Sequence, residues 1–131
     1  MFRLFYVIFM NLFRAPFMIP KMRYEADHPK KYSITQRYEL AQRCIRLMNH
    51  SGRITTEAYG TNLLPQTGGY VMFPNHQGKY DALGIILTHE MPCSLVMDKD
   101  KSCGILVREF VDLLEGKRLR INDPRQGVFV Q

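Results

Sequence analysis

The chain has 131 residues, 46% of them hydrophobic and 23% charged, which suits one domain of about 100–150 residues and excludes a disordered chain. Three cysteines (Cys44, Cys93, Cys103) form no CxxC pair. A disulfide-stapled scaffold is therefore excluded, a zinc ribbon or a thioredoxin-type dithiol is not expected, and reduced thiols are expected. The net charge is +6, and all of it sits in the first fifty residues, because basic and acidic residues balance from residue 51 onward. A basic segment meets nucleic acid or an anionic membrane, and its apolar company decides between them.

That company is Phe-rich. Fifteen of the first twenty residues are apolar or aromatic, close to the run of about 20 that a spanning helix needs. Asn11, Arg14 and Pro16 interrupt the run, and Pro16 is expected to break a helix at Ala15. No small-x-small cleavage site follows. Of an in-plane anchor, a short span or uncleaved signal, and a packing segment, the anchor is favoured. Lys21, Arg23, Lys30 and Lys31 follow at once, and each is worth about 1 kcal/mol beside an anionic leaflet. Nucleic-acid binding is not expected, since bases need a polar or stacking surface beside the cations.

Residues 24–32 read as a polar connector, dividing the chain into an anchoring segment (1–32) and a domain (33–131). Ser33 is an N-cap candidate for a helix of about 33–50, with Ile34, Tyr38, Ala41, Ile45 and Met48 on one face and Arg37 off it. Ser51-Gly52 is expected to end it. Residues 53–59 alternate like a strand and 60–69 are a loop. Tyr70 to Phe73 is a short apolar run suited to a buried parallel strand. Residues 80–89 give a helix and 93–97 a second strand. Ile105, Leu106, Phe110, Leu113 and Leu114 then repeat with helical period. This rhythm predicts an α/β fold, a mostly parallel sheet with flanking helices, preceded by N-terminal membrane-associating helices.

Chemistry is expected beyond the carboxyl end of the 70–73 strand, where such sheets bind ligands. The chain there reads Pro74-Asn75-His76-Gln77-Gly78-Lys79-Tyr80-Asp81. Across a strand-to-helix turn, Asp81 can hold one nitrogen of His76 and raise the basicity of the other, giving a base for an alcohol. Gly78 is expected to let the turn bend. The bland alternative has His76 at a helix cap and Asp81 in the first turn, near the helix dipole. His28, His50 and His89 have no metal partner at useful spacing, so no metal is expected. Tyr80 reads as packing.

Phe73-Pro74-Asn75-His76 followed by Asp81 resembles the first motif, Asn-His-x-x-x-x-Asp, of the glycerolipid acyltransferases. The nearest group is the bacterial 1-acyl-glycerol-3-phosphate acyltransferases (lysophosphatidic acid acyltransferases). The resemblance covers about residues 53–126 and includes Met97-Asp98-Lys99. It implies a membrane-associated O-acyltransferase of phospholipid synthesis, monotopic or peripheral on the cytoplasmic face of the cell membrane. His76 and Asp81 would be catalytic, and Asn75, Gly78, Lys79, Arg118 and Arg120 would contact substrate. The implied partners are an acyl donor (acyl-ACP, acyl-CoA or acyl phosphate), a lysophospholipid acceptor and an anionic membrane surface, with no cofactor. Gly78 stands where the family often has Ser, and Arg120 and Ile121 stand where it has an Asp-Arg pair. Glu115-Gly116-Lys117-Arg118 mimics the family's third block but closes a helical pattern instead of following a strand. The expectation is thus the N-terminal part of such a domain, with an incomplete sheet. The alternative is a non-catalytic membrane-binding fragment.

Overall fold

The computed structural model describes residue 6, residues 9–75, residue 78, residues 80–104 and residues 106–120. Among these, residues 9–11 are helical, and four longer helices follow: α1 (Ala15–Asp27), α2 (Ile34–Gly52), α3 (Asp81–Thr88) and α4 (Val107–Leu113). Strands β1 (Val96–Asp98) and β2 (Lys117–Leu119) pair in parallel, with Val96 opposite Lys117 and Asp98 opposite Leu119. The fold is mixed α/β. No helix among the described residues is long and apolar enough to cross a membrane.

The break expected at Pro16 falls just before it, at the turn residues 12–14 between the helical 9–11 and α1, and Pro16 opens the new helix. It lies in the first turn of α1, where its missing N–H costs nothing. Pro20 lies inside the same helix, where an interior proline costs about 3 kcal/mol; tertiary packing must offset that. Met22 supplies it, being buried against α2 and α4. The helix runs through Tyr24–Asp27, residues read from sequence as connector, so residues 15–27 share a core with the rest.

The α2 start follows the sequence signal. Ser33 Oγ accepts from Gln36 N at 3.3 Å and Gln36 Oε1 from Ser33 N at 2.9 Å, a complete capping box. At its other end Gly52 stays helical and Arg53 takes the left-handed cap (φ 50°). Tyr38, Ala41 and Ile45 are buried as predicted, but Ile34 is exposed. Arg37, expected off the apolar face, is buried as well. Its Nη2 meets Glu115 Oε1 at 2.5 Å and its Nη1 the Leu113 carbonyl at 3.3 Å, which ties α2 to the end of α4.

The predicted sheet is larger than the observed one. Residues 53–59 and 70–73 form no strand. An apolar run of four does not choose between a buried strand and an extended segment, because a strand needs a neighbour to bond. Tyr70–Phe73 lacks a neighbouring strand among the described residues, and Val71 and Phe73 are 73% and 92% exposed. The strand predicted at 93–97 forms at 96–98.

β2 falls where the sequence predicts no strand. The α4–β2 connection is tight: Gly116 N donates to the Val111 carbonyl at 2.6 Å, and a Cβ at Gly116 would lie 2.7 Å from Val111 Cγ1. Only glycine fits so close an approach. The core joins Met22, Tyr38, Ile45, Ile86, Phe110 and Leu113.

Candidate active site

Asp81 is the first residue of α3, the predicted start to within one position. Its Oδ2 accepts from Gly78 N at 2.8 Å, and its own N–H donates to the Gly78 carbonyl at 3.2 Å. The carboxylate thus closes the turn that enters the helix and sits at its positive end, where an anion is favoured. Gly78 is not in the left-handed region, and a Cβ there would make an ordinary contact, 3.6 Å from Asp81 Oδ1. The backbone does not require glycine at this position, contrary to the sequence reading. Asn75 is exposed. His76 and Lys79 lie outside the described residues, as does Ile121. The structure therefore brings Gly78 and Asp81 together.

Two tethers bracket this segment. On the near side, Tyr70 bonds His89 Nε2 at 2.6 Å. His89 Nδ1 faces the Met91 carbonyl at 2.6 Å, so that nitrogen carries the proton and Nε2 accepts from the tyrosine hydroxyl. On the far side, the Tyr80 hydroxyl accepts from Asn49 Nδ2 at 2.6 Å and bonds Thr56 Oγ1. Tyr80 is thus a polar anchor as well as packing.

The carboxyl end of α3 is capped from α2. Tyr38 OH donates to the Ile86 carbonyl at 2.9 Å, and Gln42 Nε2 to the same carbonyl at 3.0 Å. These satisfy carbonyls that a helix end leaves open. Burial holds the Tyr38 hydroxyl well above the usual tyrosine range. Burial likewise raises the Cys44 thiol to about 11, making it an inert core residue.

The basic residues assigned to substrate divide. Arg118 Nε donates to Ser102 Oγ at 2.9 Å and its Nη2 to Asp112 Oδ1 at 2.6 Å. Its charge is matched within the β2–α4 unit. Arg120 follows β2 and is exposed. Glu115, within the mimic of the family's third block, is held below the usual carboxylate range by Arg37; the mimic is the α4–β2 turn and the first two residues of β2. Among the described residues, no group of three or more His, Cys, Asp or Glu could hold a metal ion.

Sequence reasoning missed Tyr70, Asn49, Thr56 and His89 as the frame of this segment. Tyr70 and Tyr80 flank the motif, which is a usable signal; nothing in the sequence singles out Asn49 or Thr56. Comparison with protein-family models, with curated proteins and with solved structures finds no match for the chain.

Proposed function

We propose that this chain is an O-acyltransferase working at a membrane surface, moving a fatty acyl group from an activated donor to the free hydroxyl of a lysophospholipid. The observation that carries this reading is Asp81: its sequence spacing from His76 fits a base–orienter pair, and its carboxylate is anchored by Gly78 N–H at the first turn of α3. His76 takes the hydroxyl proton as the oxygen attacks the thioester or acyl-phosphate carbonyl. Asp81 stabilises the imidazolium that forms, and that proton passes to the departing thiolate or phosphate. No acyl-enzyme forms, so no nucleophilic Ser or Cys is required. Asn75, Gly78, Lys79, Arg118 and Arg120 are the proposed substrate contacts, with Arg118 drawing on a charge already shared with Asp112.

A membrane surface suits both substrates. Phe9, Phe13 and Phe17 are 66%, 81% and 79% exposed and recur at a spacing of four, next to the basic residues 21–31. Aromatic side chains at this spacing insert at the headgroup boundary, and cations hold the anionic leaflet. The proposed location is the cytoplasmic face of the cell membrane. The same aromatic residues support a second reading, a membrane-binding module without catalysis.

The full chain with vesicles containing 1-acyl-glycerol 3-phosphate, assayed with an acyl-CoA and with an acyl-ACP, separates the two. Ester formation that His76→Ala abolishes supports the enzyme. Vesicle binding with no ester from either donor, or activity that survives His76→Ala, rejects it.

A further inference from the structure

A concavity lies where the helical stretch at residues 9–11 meets the end of α2. It is a cleft of about 580 Å³, within the 300–1,000 Å³ range of small-molecule sites. Its charged lining is Arg14 and Arg53, with His50 beside them; its apolar lining is Tyr6, Met10 and Ile54. Among the described residues no carboxylate lines it. Among the described residues no acid pairs with either arginine, so neither guanidinium is neutralised there.

The α2 carbonyls that would oppose an anion here are already engaged. Arg53 N–H bonds the His50 carbonyl at 3.2 Å and Ile54 N–H the Asn49 carbonyl at 2.9 Å. Ser51 Oγ is 3.4 Å from Asn11 Oδ1, which joins the two walls. Asn49 also lines the cleft. Its Nδ2 is consumed by Thr56 and Tyr80, while its buried Oδ1 has no hydrogen-bond partner among the described residues. A buried carbonyl oxygen left open is costly.

We infer that this cleft binds a single-chain amphiphile with a phosphate head. Two guanidinium forks match a phosphate by paired N–H donors better than they match a neutral head. Tyr6, Met10 and Ile54 take the first methylenes of the chain. The inference stands apart from the acyl-transfer proposal, because it involves neither His76 nor Asp81, and its test reads binding rather than turnover.

The test is calorimetric titration of the full chain with octyl phosphate below its micellar concentration, alongside octyl glucoside and inorganic phosphate. Octyl phosphate should bind at least tenfold more tightly than either control. Arg14→Gln and Arg53→Gln should each weaken it about tenfold, the scale of one lost charge-assisted hydrogen bond. Arg43→Gln, on the exposed side of α2 and away from the cleft, should leave it unchanged. Circular dichroism identifies any variant that fails to fold, and the other arginine variant then decides. Equal binding of octyl glucoside or of inorganic phosphate overturns the inference. So does an equal effect of Arg43→Gln and the two cleft variants.

Discussion

The link between Arg23 on α1 and Glu109 on α4 makes a sharp prediction about what holds the N-terminal helix to the domain. Glu109 is buried, with its side chain only 1% exposed, whereas Arg23 is 59% exposed. Arg23 reaches Glu109 Oε1 through Nε at 3.0 Å and Nη2 at 2.5 Å, and Glu109 Oε2 accepts from Leu106 N at 2.7 Å. The second bond matters because Leu106 sits at φ 71°, an uncommon conformation for a leucine. Truncating one partner of a buried ion pair costs about 3–5 kcal/mol. Water can reach the Arg23 side of this pair, so Arg23→Ala should cost about 2–3 kcal/mol. Glu109→Gln keeps an acceptor for Leu106 N–H and removes the charge; it should cost about 1–2 kcal/mol. The double variant should be no less stable than Arg23→Ala alone, a coupling of about 1 kcal/mol or more. Urea unfolding of the full chain at pH 7, followed by far-ultraviolet circular dichroism, measures all three. Arg23→Ala within about 0.5 kcal/mol of the parent, or additive losses in the double variant, would refute the reasoning.

The same pair gives a pH dependence. Burial pushes the Glu109 carboxyl up, but the bonds from Arg23 and from the backbone outweigh it, leaving the group below its ordinary value. A depressed native value stabilises the fold above the unfolded value of about 4.3 and is lost as pH falls through the native one. Unfolding free energy should therefore drop in acid below about pH 4.3, and Arg23→Ala should flatten or invert that slope. Tyr80→Phe strands Asn49 and Thr56 and should cost about 1–3 kcal/mol in the same urea assay. Gly116→Ala forces a Cβ to 2.7 Å from Val111 Cγ1 and should cost about 1–3 kcal/mol; a neutral result would show that α4 and β2 can move apart.

Local signals were legible where local chemistry decides. Ser33 with Gln36 marked the start of α2, and the apolar spacing of Tyr38, Ala41 and Ile45 marked its buried face. Asp81 was correctly placed at a helix start. Long-range partners were not legible. The four-residue run at 70–73 looks like a strand in sequence, yet pairing depends on a neighbour that spacing does not reveal. Arg37 reads as a solvated charge until Glu115 and the Leu113 carbonyl are seen beside it. Pro16 marks both the break after residues 9–11 and the first turn of α1, and sequence shows the break without showing that a new helix opens there. Of the candidate site, the Asp81 turn followed from sequence, while the tethers at Asn49, Thr56 and His89 join residues 19 to 31 positions apart.

The most direct test of the acyl-transfer proposal is kcat/KM of Asp81→Asn for transfer from an acyl-CoA or acyl-ACP to 1-acyl-glycerol 3-phosphate. Asparagine keeps an oxygen to accept from Gly78 N–H, so the turn is preserved while the charge behind the imidazole is lost. A fall of about a hundredfold or more, in a variant that folds like the parent, is the result predicted for a base that depends on its carboxylate. Turnover within twofold of the parent would contradict the proposal.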